Sequence, residues 1–175
     1  DSLRENKVMS LKTRFGNLGN ILDFDNLAEE DIYVLDSPIL TNSQFKKFKK
    51  FFSKKIKEID CTFEINSSLK DRVEIIRGEC ETAVREGATA LVLSDKNISN
   101  QKASIPTILV VGAVHAHLVK LGLRGYCSLN VESSDALDTH SFAVLIGVGA
   151  TTINPYLAID SIYQRFEKKL FGESD

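Results

Sequence analysis

IPTILVVGAVHAHLVKLGLRGYCSLNVESSDALDTHSFAVLIGVGATTINPYLAID, residues 105–160, decides the fold of this chain. It reads as two and a half repeats of one unit, a helix that returns the chain to another short apolar strand. Pro106 suits a first helical turn, where its missing N–H would be unpaired anyway. The helix behind it is predicted to reach about Leu121 and to stop at Gly122, because glycine best adopts the left-handed closing conformation. The β-branched run 108–114 would also suit a strand, but the length of the segment favours the helix. Residues 126–131 read as a strand. Asp135 or a neighbour opens a second helix that ends near Gly147 and Gly149, and residues 151–153 form the next strand. Asn154-Pro155 then turns into a final helix. Strands separated by helices of this length imply a parallel sheet, since parallel neighbours need a long crossover.

Upstream, residues 90–93 form a short, wholly apolar run of the kind buried on both faces of a sheet. Residues 59–65 alternate Ile59, Cys61, Phe63 and Ile65 with Asp60, Thr62 and Glu64, which predicts a first strand. Between the two, Ser68-Leu69-Lys70-Asp71 resembles a capping box. Leu69, Val73, Ile76, Cys80 and Ala83 then recur at helical spacing up to Gly87. A polar loop, 94–104, leads back to Pro106. Strands are thus expected near residues 61, 91, 128 and 152, each followed by a helix. The fold class is α/β: a parallel sheet of about four strand–helix units, either open or half of a barrel, partial TIM-barrel-like, with an N-terminal arm and helix.

Residues 1–40 lack sustained periodicity. Gly16-Asn17 and Gly19-Asn20 mark turns, and Leu18, Ile21, Leu22 and Phe24 give a short apolar patch. An arm packed across a core built by later residues is expected. Ser37-Pro38 forces an extended approach, after which Thr41, Asn42 or Ser43 can cap a helix. In that helix Phe45, Phe48 and Phe52 share one face, while Lys46, Lys47, Lys49, Lys50, Lys54, Lys55 and Lys57 crowd the others. This pattern predicts a docked helix with a solvated basic face, offset by the acidic stretch 23–36, rather than a membrane or nucleic-acid element. The chain divides into an N-terminal arm and lysine-rich helix, 1–58, and a strand–helix body, 59–175, together one domain.

At 175 residues, with 22 Lys+Arg against 24 Asp+Glu, the composition suits one globular domain with no charge excess to attract nucleic acid or an anionic membrane. No charge-free apolar run reaches the roughly 20 residues of a spanning helix, and no signal peptide opens the sequence. Cys61, Cys80 and Cys127 are widely spaced in apolar settings, which predicts buried free thiols and a cytoplasmic protein. The opening at Asp1, without methionine, is expected of an excised segment of a longer protein.

Several strings add a more specific indication. PTILVVGAVHAHLVKLGLR (106–124), LNVESSDALDTHSFAVLIGVGATTINPYLA (129–158), VLDSPILTN (34–42) and LVLSDK (91–96), in this order, resemble the central domain of glutamate synthase. The opening DSLRENKVMSLKTRFGNLGNIL (1–22) resembles the lead-in to that domain, so the similarity covers nearly the whole chain. In that family an amidotransferase domain releases ammonia from glutamine. A flavin domain, with FMN and an iron–sulfur cluster in the parent enzyme, makes glutamate from ammonia and 2-oxoglutarate. The central domain lies between them and resembles a cofactor-free relative of the flavin barrel. The resemblance implies a piece of an oxidoreductase, inactive alone, with no catalytic, cofactor-binding or metal-binding residue of its own. Its implied partners are the amidotransferase and FMN domains of the same polypeptide. The chain departs from the family pattern at Ala116 and Ser141, where the family commonly has histidine, and at Ser134, where it usually has glycine.

Candidate chemistry is sparse. His115 and His117 are two apart, a spacing that points them to nearly opposite sides of a helix, and His140 has no partner nearby in sequence. Ligands of parallel α/β folds bind outside the carboxyl ends of the strands. That rule selects Glu64, Ser94, Asp95, Glu132, Ser133 and Asn154 as rim or inter-domain residues. They offer carboxylates and hydroxyls, with no lysine or arginine expected among them to neutralise a phosphate. Gly147-Val148-Gly149 lacks the third glycine of a dinucleotide fingerprint and leads into a strand, so it reads as a turn. Tyr126, Tyr156 and Tyr163 read as core or helix-face aromatics. The alternative function is a stand-alone barrel-like enzyme or small-molecule-binding domain using the strand-end carboxylates. Self-association of the isolated chain is expected through Leu18, Ile21, Leu22 and the Phe45/Phe48/Phe52 face.

Overall fold

Short apolar runs alternate with amphipathic ones along the chain, and each becomes a strand or a helix accordingly. The computed structural model describes residues 11–15 and 33–171. The turns expected at Gly16-Asn17 and Gly19-Asn20 and the patch of Leu18, Ile21, Leu22 and Phe24 lie outside the described residues. In chain order the elements are β1 (Thr13–Phe15), β2 (Tyr33–Leu35), α1 (Asn42–Phe51), β3 (Ile56–Asp60), β4 (Thr62–Glu64) and α2 (Leu69–Arg85). There follow β5 (Ala90–Ser94), β6 (Lys102–Ser104), α3 (Thr107–Lys120), β7 (Ser128–Glu132), α4 (Thr139–Gly147), β8 (Thr152–Asn154) and α5 (Tyr156–Glu167).

Strands β3, β5, β7 and β8 form one parallel sheet in that spatial order, as expected of a partial barrel. Residues 38–40 extend it past β8: Ile39 bridges Ile153, Leu40 N–H donates to the Ile153 carbonyl at 2.8 Å, and Ile153 N–H donates to that of Pro38 at 2.8 Å. The chain then crosses the sheet through α1 and returns as β3 on the opposite edge. Ten helical residues span about 15 Å, most of the roughly 19 Å made by the four strand spacings that the chain must cross.

Side chains alternate across a strand, so each sheet face has its own chemistry. One face carries Ile59, Leu91, Leu93, Leu129, Val131 and Ile153 into a core shared with α2 and α3. There Val73, Ile76 and Cys80 of α2 meet Val110, Val111, Val114 and Leu118 of α3. All three cysteines are buried and free. The other face lies under α1, whose Phe45 and Phe48, with Phe52 just beyond it, pack on Leu40, Ala90 and Val92. The phenylalanine face named for self-association is therefore buried. Its rings stack on one another, with Phe45–Phe48 and Phe48–Phe52 centroids 5.5 and 5.1 Å apart, and Tyr33 joins from β2. Lys46, Lys47, Lys50 and Lys54 face solvent.

Helix ends follow their capping chemistry, with corrections to the expected borders. Thr41 and Gln44 make a reciprocal capping box at α1, and Ser68 Oγ accepts from Asp71 N–H at α2. Helix α3 closes with Gly122 at φ +70°. Tyr126 belongs to a 3-10 turn, so β7 starts later than expected, at Ser128. Asp138, not Asp135, opens α4 by accepting from Ser141 N–H at 2.7 Å. Asp135 instead accepts from Thr107 N–H at 3.0 Å, capping α3 from outside.

The strand expected over 59–65 is broken. β3 starts earlier, at Ile56, and ends at Asp60, and after Cys61 the chain leaves the parallel sheet. β4 then pairs antiparallel with β6, a strand within the loop expected at 94–104. Arg72 of α2 holds the break: its Nη2 and Nε donate to the carbonyls of Asp60 at 2.7 Å and Thr62 at 3.1 Å.

Candidate functional site

Parallel register sorts the α1-facing side chains into levels. Ile56, Ala90 and Ser128 lie at the bottom; Glu58, Val92, Asn130 and Thr152 in the middle; Asp60, Ser94, Glu132 and Asn154 at the carboxyl ends. Polarity rises toward the carboxyl rim, where a barrel fold would carry a ligand. Of the expected rim residues, Ser94, Asp95, Glu132, Ser133 and Asn154 gather there. Glu64 does not. It lies on β4 with its side chain 58% exposed, and Asp60 takes the strand-end position.

Glu132 is the centre of the rim. Its carboxylate is buried, and it accepts from Ser94 Oγ at 2.8 Å and from Lys96 Nζ at 2.7 Å, with Lys49 Nζ at 3.6 Å. Lys49 also binds Glu58 at 2.9 Å. Two lysines thus neutralise two carboxylates, contrary to the expectation that the rim would lack basic groups. Lys96 follows Ser94-Asp95 directly, a signal the sequence did carry. Lys49 arrives from the crossing helix, a long-range contact with no local signal.

The remaining polar atoms are largely bonded to one another. Asn154 Nδ2 donates to the Leu40 carbonyl at 3.0 Å and to Asn42 Oδ1 at 2.9 Å. Ser133 Oγ bonds Thr107 Oγ1 at 3.0 Å and donates to Asp135. Asp95 Oδ2 accepts from Ser134 N–H at 2.8 Å and from Ser134 Oγ at 2.7 Å. One level down, Thr152 Oγ1 donates to Asn130 Oδ1 at 2.8 Å, and Asn130 Nδ2 donates to the Leu91 carbonyl at 3.1 Å. Asp95 Oδ1 is buried and meets no hydrogen-bond donor among the described residues.

Tyr156, expected as a core or helix-face aromatic, sits beside Asp95 with Lys96 Nζ 4.8 Å from its ring centroid. Burial, then the Asp95 charge, pushes its phenol up to about 12, so it stays protonated at neutral pH. Burial opposes the charge on Asp60, yet hydrogen bonds from Thr62 and Asn97 and the Lys102 charge hold that carboxyl below its ordinary range.

The histidines part company as their spacing predicted. His117 Nε2 meets Glu81 at 2.9 Å and its Nδ1 meets Arg77 at 3.2 Å, joining α3 to α2. His115 packs against Gly149, where an added Cβ would lie 2.4 Å from the ring, and Gly149 takes φ +119°. His115 Nδ1 accepts from Arg124 Nε at 3.2 Å, and burial, then the Arg124 charge, lowers its pKa. Arg124 also donates to the Cys127 carbonyl and, at 2.9 Å, to the Gly149 carbonyl, tying down the amino ends of β7 and β8. Among the described residues no three His, Cys, Asp or Glu side chains converge as a metal site. No described helix is long and apolar enough to cross a membrane.

Comparison of the sequence with known proteins points to one family. The profile described as Glutamate synthase central domain matches residues 1–175. The chain is 50% identical to the NADPH glutamate synthase large chain of Azospirillum brasilense, over 98% of this chain and 12% of that protein. It is 39% identical to the ferredoxin-dependent glutamate synthase of Pyropia yezoensis, over 92% of this chain and 11% of that protein. With the NADPH glutamate synthase large chain of Bacillus subtilis it shares 36% identity, over 96% of this chain and 11% of the relative. The chain therefore spans about a ninth of the length of these relatives, and it belongs to the glutamate synthase central domain family.

Proposed function

We propose that this chain is the spacer of a glutamate synthase, holding an amidotransferase domain and an FMN domain at a fixed separation in one polypeptide. On this reading residues 1–58 and 59–175 act as one domain, and no residue of the chain touches reacting atoms. The carrying observation is the use of the rim's polar groups. Glu132 is occupied by Ser94, Lys96 and Lys49, and Asn154 by Leu40 and Asn42. Groups already bonded to protein in this way hold strands and the crossing helix in register and leave little bonding capacity for a ligand.

The role is positional. Ammonia released at one site must reach the other without escaping to water, and a displacement of about 1 Å can cost on the order of 100-fold in rate. The test is the full-length polypeptide carrying Phe48→Ala, which loosens the packing of α1. Expected is retained ammonia-dependent glutamate synthesis and retained glutamine hydrolysis, with glutamine-dependent synthesis reduced tenfold or more, on the order the positional argument requires. Loss of all three rates together, in a protein still folded by circular dichroism, would contradict the spacer reading.

One observation favours the second reading, a small-molecule site at the rim. Asp95 Oδ1, buried without a donor among the described residues, is the kind of group a ligand could satisfy.

A further inference from the structure

Helix α5 has no buried residue along its whole length. Its first turn is tied down: Ala158 and Ile159 are half-buried, and Asp160 accepts from Asn42 Nδ2 of α1 at 2.8 Å. Beyond that turn Ile162, Tyr163 and Phe166 continue the stripe begun by Ile159 at helical spacing, and Leu170 follows in the turn just past the helix end. They are 58%, 62%, 74% and 66% exposed. Asp160, Gln164, Arg165 and Glu167 occupy the other sides. The end of the helix is closed in an orderly way. Lys169 takes φ 53°, and Leu170 N–H donates to the Arg165 carbonyl at 3.0 Å. The stripe is a formed, apolar helix face without a cover among the described residues.

Its area selects the kind of partner. At about 150–250 Å² per aromatic side chain, the exposed fractions of Tyr163 and Phe166 amount to roughly 200–350 Å². The two aliphatic residues bring the stripe to a few hundred Å², the size of the largest apolar patch on a typical monomer, which is often a functional contact. A stable contact between separate chains needs about 800 Å² per partner, which the stripe does not reach. A contact within one polypeptide needs less, because the tether supplies an effective concentration on the order of millimolar. The stretch matched by this chain is 12% of the Azospirillum brasilense protein, so the great bulk of such a polypeptide lies outside it.

We infer that the Ile162/Tyr163/Phe166 stripe of α5, with Leu170 in the turn after it, is the surface by which this domain docks on an apolar face elsewhere in its own longer polypeptide. The inference rests on the reading of the chain as one domain of a multidomain glutamate synthase. It places the exposed apolar contact at the other end of the chain from the phenylalanines of α1, which are buried. Neither the rim nor the lysine face of α1 takes part in it.

The experiment places p-benzoylphenylalanine at position 166 of the full-length polypeptide, with position 164 on the polar side as comparator. Irradiation is followed by mass spectrometric mapping of the linked peptides. Expected is a link from 166 to an apolar peptide of the same polypeptide outside these 175 residues. Its yield should be at least fivefold that from 164 and unchanged on tenfold dilution. A link into residues 16–32, a link to a second copy that fades on dilution, or equal yields from 166 and 164 would each overturn the inference. Cross-linking as expected alongside unchanged coupling in the Phe48→Ala enzyme would remove the spacer reading and leave the docking surface standing.

Discussion

The two faces of the parallel sheet are both buried, yet they are built from opposite materials. Toward α2 and α3 every strand contributes leucine, isoleucine or valine, joined by all three cysteines. Toward α1, β7 and β8 contribute Ser128, Asn130, Glu132, Thr152 and Asn154, none more than 3% exposed. Apolar contact is non-directional, so the first face supplies bulk stability and tolerates small shifts. A buried polar row does the reverse. Each of its groups must find its own partner, so it fixes strand register and the seat of the crossing helix. A half barrel without its other half would expose its inner face to water. Here the phenylalanines of α1 cover the lower levels, and paired charges close the carboxyl end.

The largest expected way to break this contrast is alkaline titration of the apolar face. Burial raises the thiols of Cys127 to about 11 and of Cys80 to about 12 from an ordinary 9.0, and that of Cys61 further. The folded state therefore holds protons that the unfolded chain releases. Stability is complete below pH 9 and falls as pH rises beyond it, by roughly 1.4 kcal/mol per pH unit for each thiol. Cooperative unfolding between about pH 9 and 11, followed by circular dichroism, is the expected outcome, and undiminished stability at pH 11 would show the thiols to be hydrated. Next in size is Phe48→Ala, which should cost about 3–5 kcal/mol in urea denaturation. A loss below about 1 kcal/mol would mean that α1 does not cover the sheet.

Asn130→Ala should cost about 1–3 kcal/mol, because the Leu91 carbonyl and the Thr152 hydroxyl lose their partner. Adding Thr152→Val should cost less than the sum of the separate changes, with a coupling of at least about 0.5 kcal/mol. Strict additivity would show that the polar row is not a network. The smallest effect belongs to the solvated lysines. Lys46→Glu or Lys50→Glu should change stability by no more than about 0.5 kcal/mol, and a larger loss would reveal a contact on that face.

Much of this was legible in the sequence because local chemistry wrote it there. Pro106 and Gly122 bracket α3, and residues 90–93 are apolar on both sides as a central strand requires. Ser94, Glu132 and Asn154 end their strands as the spacing implied. What escaped depended on contacts between distant residues. The alternation Ile59, Cys61, Phe63, Ile65 runs unbroken through the point where the chain leaves the sheet beside Arg72, so it points to Glu64 in place of Asp60. Asp135 and Asp138 are equally good caps by type, and only the approach of Thr107 to Asp135 separates their roles. The pairing of Lys49 with Glu132 joins residues far apart in the chain through a helix that crosses the sheet.

On the spacer reading proposed above, the carboxyl rim is a structural layer and not a ligand site. Titration of the purified chain with FMN at physiological salt, read by flavin fluorescence, tests it most directly. No saturable signal is expected up to the micromolar range, because Glu132 and Asn154 are already bonded to protein. One-to-one saturable binding that disappears in Glu132→Ala or Asn154→Ala, with the fold retained, would contradict the account.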